Sequence, residues 1–198
     1  MDELKQHQHI LVKKGAEASL YLSDWQGRRV IVKIRMPKKY RVEALDGQIR
    51  SYRTIHEAQL LHRAKAAGVA TPLIYMVNVS EAIIIMEYIE GVQVKQYLNS
   101  VQDAEREKIC LKIGELIGKL HRENLIHGDL STFNILNHDE YPVIIDVSQS
   151  VVRDHPIANE LLIRDIKNIY NEFKKMGSSI SIEEIKEKLE VDIDLDFN

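Results

Sequence analysis

The sequence predicts an α+β fold in two unlike halves, an antiparallel sheet with one long helix followed by a mainly helical remainder. Three observations carry this. Short β-like runs fill the first third, amphipathic helical periodicity takes over from Asp103, and Glu90-Gly91 interrupts both patterns between them. With 198 residues, 44% apolar and 29% charged, the chain can bury a real core as one large domain or two small lobes. The division expected is a first lobe over about residues 1–87, a joint at 87–91 and a second lobe over 92–198.

Ile10-Leu11-Val12, residues 18–22 and residues 29–34 read as three strands, separated by 13–17 and by the turn-like Ser23-Asp24-Trp25-Gln26-Gly27. In the third, Val30, Val32 and Ile34 alternate with Ile31, Lys33 and Arg35, so Lys33 faces away from the valines, and Pro37 ends the strand. Residues 45–67 predict a helix with Ile49, Tyr52, Leu60, Leu61 and Ala64 on its apolar stripe. Gly68 stands where a C′ glycine belongs, and Pro72 forbids continuation. Residues 73–77 and 82–87 predict two more strands, the second apolar enough to be central.

In the second half, residues 103–122 predict a helix carrying Ile109, Ile113, Leu116, Ile117 and Leu120 on one stripe. Its acidic first turns and its last-turn Lys119, His121 and Arg122 suit the macrodipole. Brief strands are expected around Ile135-Leu136 and at 143–145, then a helix over 158–176 closed by Gly177. Ser181-Ile182-Glu183-Glu184 is a capping box opening a short helix with Ile185 and Leu189. The acidic and apolar alternation of 191–198 is expected to fray. No internal repeat is visible.

A net charge of −3 gives no global field toward nucleic acid. The single Cys110 excludes an intramolecular disulfide and a cysteine-rich metal site, and its apolar helical setting predicts a buried inert thiol. No apolar run approaches the roughly 18 residues that span a bilayer. The polar stretch 1–9 lacks the apolar core of a signal peptide, so a cytoplasmic protein with no membrane role is expected.

Chemistry concentrates in Ile126-His127-Gly128-Asp129-Leu130-Ser131-Thr132-Phe133-Asn134-Ile135-Leu136, followed by Ile144-Ile145-Asp146. An Asp, an Asn five positions on and a second Asp ending a β-like run match the catalytic half of a protein kinase. Phosphoryl transfer from ATP needs a carboxylate to orient the acceptor hydroxyl, a role for Asp129. It also needs oxygen ligands holding magnesium against the phosphates, roles for Asn134 and Asp146. The same residue types also occur in ordinary turns. Lys33 takes the place of the lysine that grips the α- and β-phosphates, although an alternating strand lysine also suits a solvated edge. Glu57 is the helix glutamate that would hold that ammonium; its rival partner is Arg53 at i−4.

Gly15-Ala16-Glu17-Ala18-Ser19 fills the place of the nucleotide loop, with one glycine and no Walker sequence anywhere. Its backbone N–H groups and Ser19 are expected over the triphosphate, Glu17 lying within the loop, while a plain hairpin turn accounts for the same residues. At the joint, the adenine edge is expected against main-chain groups of Glu87 and Ile89, with Met86 behind. Arg28, Arg29, Lys33, Arg35, Lys38, Lys39 and Arg41 form a basic run without an acidic residue, either a solvated face or a partner surface contacting RNA through Lys38, Lys39 and Arg41. His127 reads as a structural prop for the loop.

These residues resemble the small atypical kinases of the RIO and PRPK families, the latter being the kinase subunit of the KEOPS tRNA-modification complex. Gly15-Ala16-Glu17-Ala18, Val32-Lys33, Lys39-Tyr40-Arg41, Leu45-Asp46, Arg53-Thr54-Ile55-His56-Glu57-Ala58 and Ala67-Gly68-Val69-Ala70-Thr71-Pro72 look like the KEOPS kinase. Ile144-Ile145-Asp146-Val147-Ser148-Gln149-Ser150-Val151, Asp154-His155-Pro156, Ala158 and Arg164-Asp165-Ile166 look like a RIO kinase. Asp146 is followed by Val147-Ser148 where the KEOPS type has Asp-Phe-Gly, and the tail is acidic where that type is basic. The resemblance implies a reduced bilobal protein-kinase-like fold, ATP and magnesium, autophosphorylation on serine, and kinase or ATPase work in tRNA modification or ribosome maturation. It also implies a protein partner or RNA-containing complex as the target, because the activation segment and peptide-binding helices of ordinary kinases have no room after Asp146.

Two other readings stand beside this one. A small-molecule phosphotransferase shares the His-Gly-Asp and Asn pattern but needs an added helical substrate pocket. A non-catalytic nucleotide-dependent adaptor keeps the fold for binding, yet such chains usually lose one of the Lys33, Asp129, Asn134 and Asp146 set, and none is lost here.

Overall fold

The computed structural model describes residues 9–189, so the acidic tail at 191–198 lies outside the described residues. By packing the described residues divide into two compact units, residues 9–62 with 72–89, and residues 63–71 with 90–189. The sequence reading put the boundary at 87–91 and kept 63–71 with the first lobe. Packing instead carries 63–71 into the second unit, where Ile144 N donates to Ala70 O at 2.9 Å.

The first unit is built on a five-stranded antiparallel sheet in the order β1-β2-β3-β5-β4: β1 Ile10–Lys14, β2 Ala18–Trp25, β3 Arg28–Arg35, β4 Ile74–Asn78 and β5 Ile83–Glu87. A two-residue turn, Gln26-Gly27, joins β2 to β3 with both residues at positive φ (51° and 73°), the backbone twist that tight hairpins prefer. Alternation along β3 buries Val30 and Val32 against Ile85 of β5, and Tyr21, Trp25, Tyr75 and Met76 pack around them. Ala82, expected in the fifth strand, instead takes φ 56° in the preceding turn.

Helix α1, Glu43–Ala66, carries acidic residues in its first turn and basic ones in its last. Leu60, Leu61 and Ala64 are buried as expected, but Tyr52 is 66% exposed and stacks on His56. At about 100° per residue Tyr52 lies about 140° round the helix from Glu57. The buried stripe therefore runs through Asp46, Thr54 and Glu57, three polar positions that an apolar periodicity does not register.

Among the described residues the second unit holds four helices: α2 Val94–Ser100, α3 Asp103–Arg122, α4 Ala158–Lys175 and α5 Ile182–Leu189. It has two small sheets, β6-β8-β9 (Val92–Gln93, Ile135–His138 and Tyr141–Ile144) and β7 with β10 (Leu125–Ile126 and Val151–Val152). The stripe Ile109, Ile113, Leu116, Ile117, Leu120 is buried along α3. Helix α5 opens with the expected capping box: Ser181 N donates to Glu184 Oε2 at 2.7 Å and Glu184 N to Ser181 Oγ at 3.1 Å. It lies on α3 where Gly118 exposes bare backbone, a Cβ there falling 2.6 Å from Lys188 O. Helix α2 and strands β6, β7 and β10 are too short to show in sequence periodicity.

Candidate active site

In the first unit, the pleat of β3 turns Lys33 and Arg35 to one side, and both reach Glu57 of α1. Lys33 Nζ lies 2.5 Å from Glu57 Oε1 and Arg35 Nη2 lies 2.6 Å from Oε2. The carboxylate is 1% exposed, so this is a buried cluster in which two cations share one anion. Glu57 thus takes the inward role and not the rival pairing, because Arg53 binds Glu17. Arg35, grouped from sequence with a surface basic run, is 5% exposed, which removes it from any solvated face.

Residues 15–17 form the turn between β1 and β2, closed by Gly15 N donating to Ala18 O at 2.9 Å. Glu17 sits between Arg53 and Arg35; the Arg53 hydrogen bond holds its carboxyl below the ordinary value, against a smaller push upward from burial. Ser19 is buried within β2, and the Lys38 ammonium donates to Ala16 O. At the end of β5, Met86 is buried, and Glu87 ties β5 to Leu73 twice: Glu87 N to Leu73 O at 2.8 Å and Leu73 N to Glu87 Oε2 at 3.0 Å. Ile89 is half-buried. Of the other basic-run residues, Lys38 is half-buried, Lys39 exposed, and Arg41 pairs with Asp46 at 3.4 Å.

In the second unit, the loop after β7 carries the His-Gly-Asp triplet. Gly128 adopts φ 78°, and a Cβ there would stand 2.5 Å from Gln149 O, so only glycine lets the chain turn against the segment after Asp146. Asp165 of α4 straddles the loop: Gly128 N donates to its Oδ2 at 2.6 Å and Leu130 N to its Oδ1 at 3.1 Å. Arg164 adds a bond to Gly128 O, and Thr132 N donates to Glu172 Oε2 at 2.7 Å. Three side chains of one helix thereby brace the loop. In the sequence Arg164 and Asp165 carry only part of a family resemblance, and Glu172 carries no signal of its own. The clue is a polar pair, Asp165 and Glu172, seven residues apart and so on one face of α4.

Asp129, held by this brace, keeps an exposed side chain. Its carbonyl oxygen accepts from Asn134 Nδ2 at 3.0 Å, and Asn134 O accepts from Ile145 N at 3.0 Å, tying Asn134 to the residue before Asp146. Asp146 Oδ1 accepts from Ser148 N at 3.0 Å. Asp129, Asn134 and Asp146 are thus joined through one hydrogen-bonded loop. His127 is 2% exposed; burial holds its imidazole below the ordinary value although Asp165, Asp146 and Asp129 pull the other way. A neutral ring accepting from Asp129 N at 3.3 Å fits the role of prop. Burial raises Asp165, opposed by its two backbone N–H donors. Cys110 is buried with its thiol pushed up to about 12, as expected of an inert cysteine.

The donor chemistry suits a hard cation. Among the described residues no group of three His, Cys, Asp or Glu could hold a metal alone. Asn134 and Asp146 offer oxygen only, the short protein ligand set that magnesium accepts when phosphate oxygens complete its shell.

Residues 28–186 match the RIO domain profile, four-fifths of the chain. The chain belongs to the RIO domain family. Relatives of this RIO chain include the KEOPS complex subunit Bud32 of Pyrococcus abyssi, 42% identical over 142 residues that cover 69% of this chain and 64% of that protein. A probable bifunctional tRNA threonylcarbamoyladenosine biosynthesis protein of Methanosphaera stadtmanae is 43% identical over 68% of this chain and 25% of its own length. The mouse EKC/KEOPS complex subunit Tp53rkb is 38% identical over 64% of this chain and 54% of its own length. The matched stretch thus spans less than two thirds of each. Among solved structures, the Rio2 kinase-ADP/Mg2+-phosphoaspartate complex from Chaetomium thermophilum shares the fold with a TM-score of 0.74 at 20% identity, covering 96% of this chain and 64% of that one. The α+β architecture, sheet first and helices second, is therefore the RIO kinase fold. No described helix is long and apolar enough to cross a membrane.

Proposed function

We propose that this RIO-family chain uses ATP and magnesium for phosphoryl transfer, autophosphorylating on serine or hydrolysing ATP, and that it does so beside protein partners in tRNA threonylcarbamoyladenosine formation. The observation that carries the reading is the buried Lys33–Glu57 pair at 2.5 Å, because an ammonium held out of water beside a carboxylate needs a purpose. In a kinase that purpose is to fix the lysine against the α- and β-phosphates. Asp129 orients the acceptor hydroxyl and takes its proton as the new oxygen–phosphorus bond forms and the bond from the γ-phosphorus to the bridging oxygen breaks, ADP leaving. Asn134 and Asp146 would hold magnesium, which supplies charge neutralisation at the phosphates. Main-chain N–H groups of Ala16 and Glu17 in the turn cover the triphosphate, Gly15 N being taken by Ala18 O and Ser19 lying buried within β2, and main-chain groups of Glu87 and Ile89 hold the adenine edge with Met86 behind it.

The tRNA-modification setting rests on relatives at 38–43% identity whose names place them in KEOPS complexes or in threonylcarbamoyladenosine synthesis. Ribosome maturation has only the more distant Rio2 likeness behind it. The test is calorimetric titration of ATP with and without magnesium. Binding that is at least tenfold tighter with the metal is expected. Equal affinity in both conditions, or no binding, removes the enzyme reading.

A further inference from the structure

Next to the Lys33–Glu57 pair, and joined to it through the Arg35–Glu57 bond, five cations line an open cleft in the first unit: Arg35, Lys38, Arg41, Arg50 and Arg53. Glu17 is the one acidic residue of its lining. The surrounding ion pairs do not balance the charge. Asp46 answers both Arg50 (2.7 Å) and Arg41 (3.4 Å), Glu17 answers Arg53 and Arg35 (3.6 Å), and Glu57 divides itself between Arg35 and Lys33. The Lys38 ammonium has only a neutral carbonyl, Ala16 O. The five cations of the cleft thus have two carboxylates, Glu17 and Asp46, and a share of a third, Glu57. Arg35, 5% exposed, also keeps a buried Nε–H with no hydrogen-bond partner. A buried donor without an acceptor, in a cleft of excess positive charge, points to a missing anion.

We propose that this cleft binds a phosphate monoester carried on a serine or threonine side chain. A monoester is a compact anion of charge near −2 with three acceptor oxygens, and arginine forks match it with paired N–H donors. Its charges converge on one point and are not strung along a strip, as a nucleic-acid backbone requires. The exposed aromatic nearby, Tyr40, is occupied by the Arg41 guanidinium 5.3 Å from its ring centroid and offers no stacking platform for a base.

The experiment uses the full chain and a fluorescein-labelled peptide with one phosphoserine between glycine and serine flanks, read by anisotropy with saturating Mg-ATP present. Saturable binding is expected, displaced by inorganic phosphate and absent for the unphosphorylated peptide. Lys38→Gln with Arg53→Gln should weaken it at least tenfold at an unchanged melting temperature. Glu17→Gln, which removes the carboxylate lining the cleft, should tighten it several-fold; this decides the matter if the double variant does not fold. Equal binding of the unphosphorylated peptide, displacement by raising Mg-ATP, or an unchanged or weakened affinity in Glu17→Gln would overturn the proposal. So would unchanged affinity in a folded double variant. Displacement by a single-stranded RNA without terminal phosphate, at lower concentration than the phosphopeptide, would assign the cleft to nucleic acid instead.

Discussion

Glu57 and Asp165 do similar work by different means. Each is a buried carboxylate, at 1% exposure, that holds other groups in position without being exposed to a ligand itself. Glu57 fixes two side-chain cations, whereas Asp165 fixes two backbone N–H groups on either side of Asp129. The consequence for Asp129 is a side chain exposed to solvent on a backbone that cannot drift, which suits a group that must meet an incoming hydroxyl. Asp129→Asn keeps the shape and removes the carboxylate. It should lower serine autophosphorylation by about 10²–10⁴-fold while ATP affinity stays within a few-fold, since Asp129 is not expected to be a principal nucleotide ligand. Phosphate incorporation and ATP binding measured on the same preparation check this. Full activity in the variant would mean that another residue acts as base.

Elements differ in how far their sequence discloses them. Helices α3 and α4 and the capping box of α5 are legible because their period or their local chemistry is complete within a few turns. Helix α1 is legible as a helix, yet its inward face is not, because Asp46, Thr54 and Glu57 are buried by partners elsewhere in the chain. The same cause hid Arg35 within a basic run and hid the bracing role of Asp165, whose bonds cross 35 and 37 residues. Lys33, Asp129, Asn134 and Asp146 stand out as candidates because their order and spacing alone carry a chemical pattern. The packing of α5 on α3 was invisible for a related reason, and it makes a prediction. A Cβ at Gly118 would meet Lys188 O at 2.6 Å, backbone that cannot give, whereas at Gly114 it would meet the Lys188 side chain at 3.2 Å. Gly118→Ala should destabilise by about 1–3 kcal/mol through overpacking, even after the helix-propensity gain of about 1 kcal/mol. Gly114→Ala should be near neutral. Chemical denaturation of the two variants separates them; equal stability would show that α5 shifts without cost.

At the scale of the whole molecule, the chain forms two compact units, and the proposed chemistry draws on both: Lys33 and Glu57 from the first, Asp129, Asn134 and Asp146 from the second. If one nucleotide engages both sets, its stabilisation of the protein is not the sum of two independent contributions. A ligand at about 100 times its dissociation constant stabilises the folded state by about 2.7 kcal/mol, provided the unfolded chain does not bind it. Mg-ATP should therefore raise the melting temperature of the wild type by several degrees. Lys33→Met removes a phosphate contact in the first unit, and Asp146→Asn removes a metal ligand in the second. Each single change should abolish most of the rise, and the double variant should lose little more than either one, the non-additivity expected of residues that serve one ligand. Thermal unfolding of the four proteins, with and without Mg-ATP, reads this directly. Lys33→Met also leaves Glu57 with Arg35 alone, so each variant is compared with its own ligand-free melting temperature. If each change instead removed about half of the shift and the double variant all of it, the two units would be binding nucleotide separately, and a single phosphoryl-transfer site built from both sets would be ruled out.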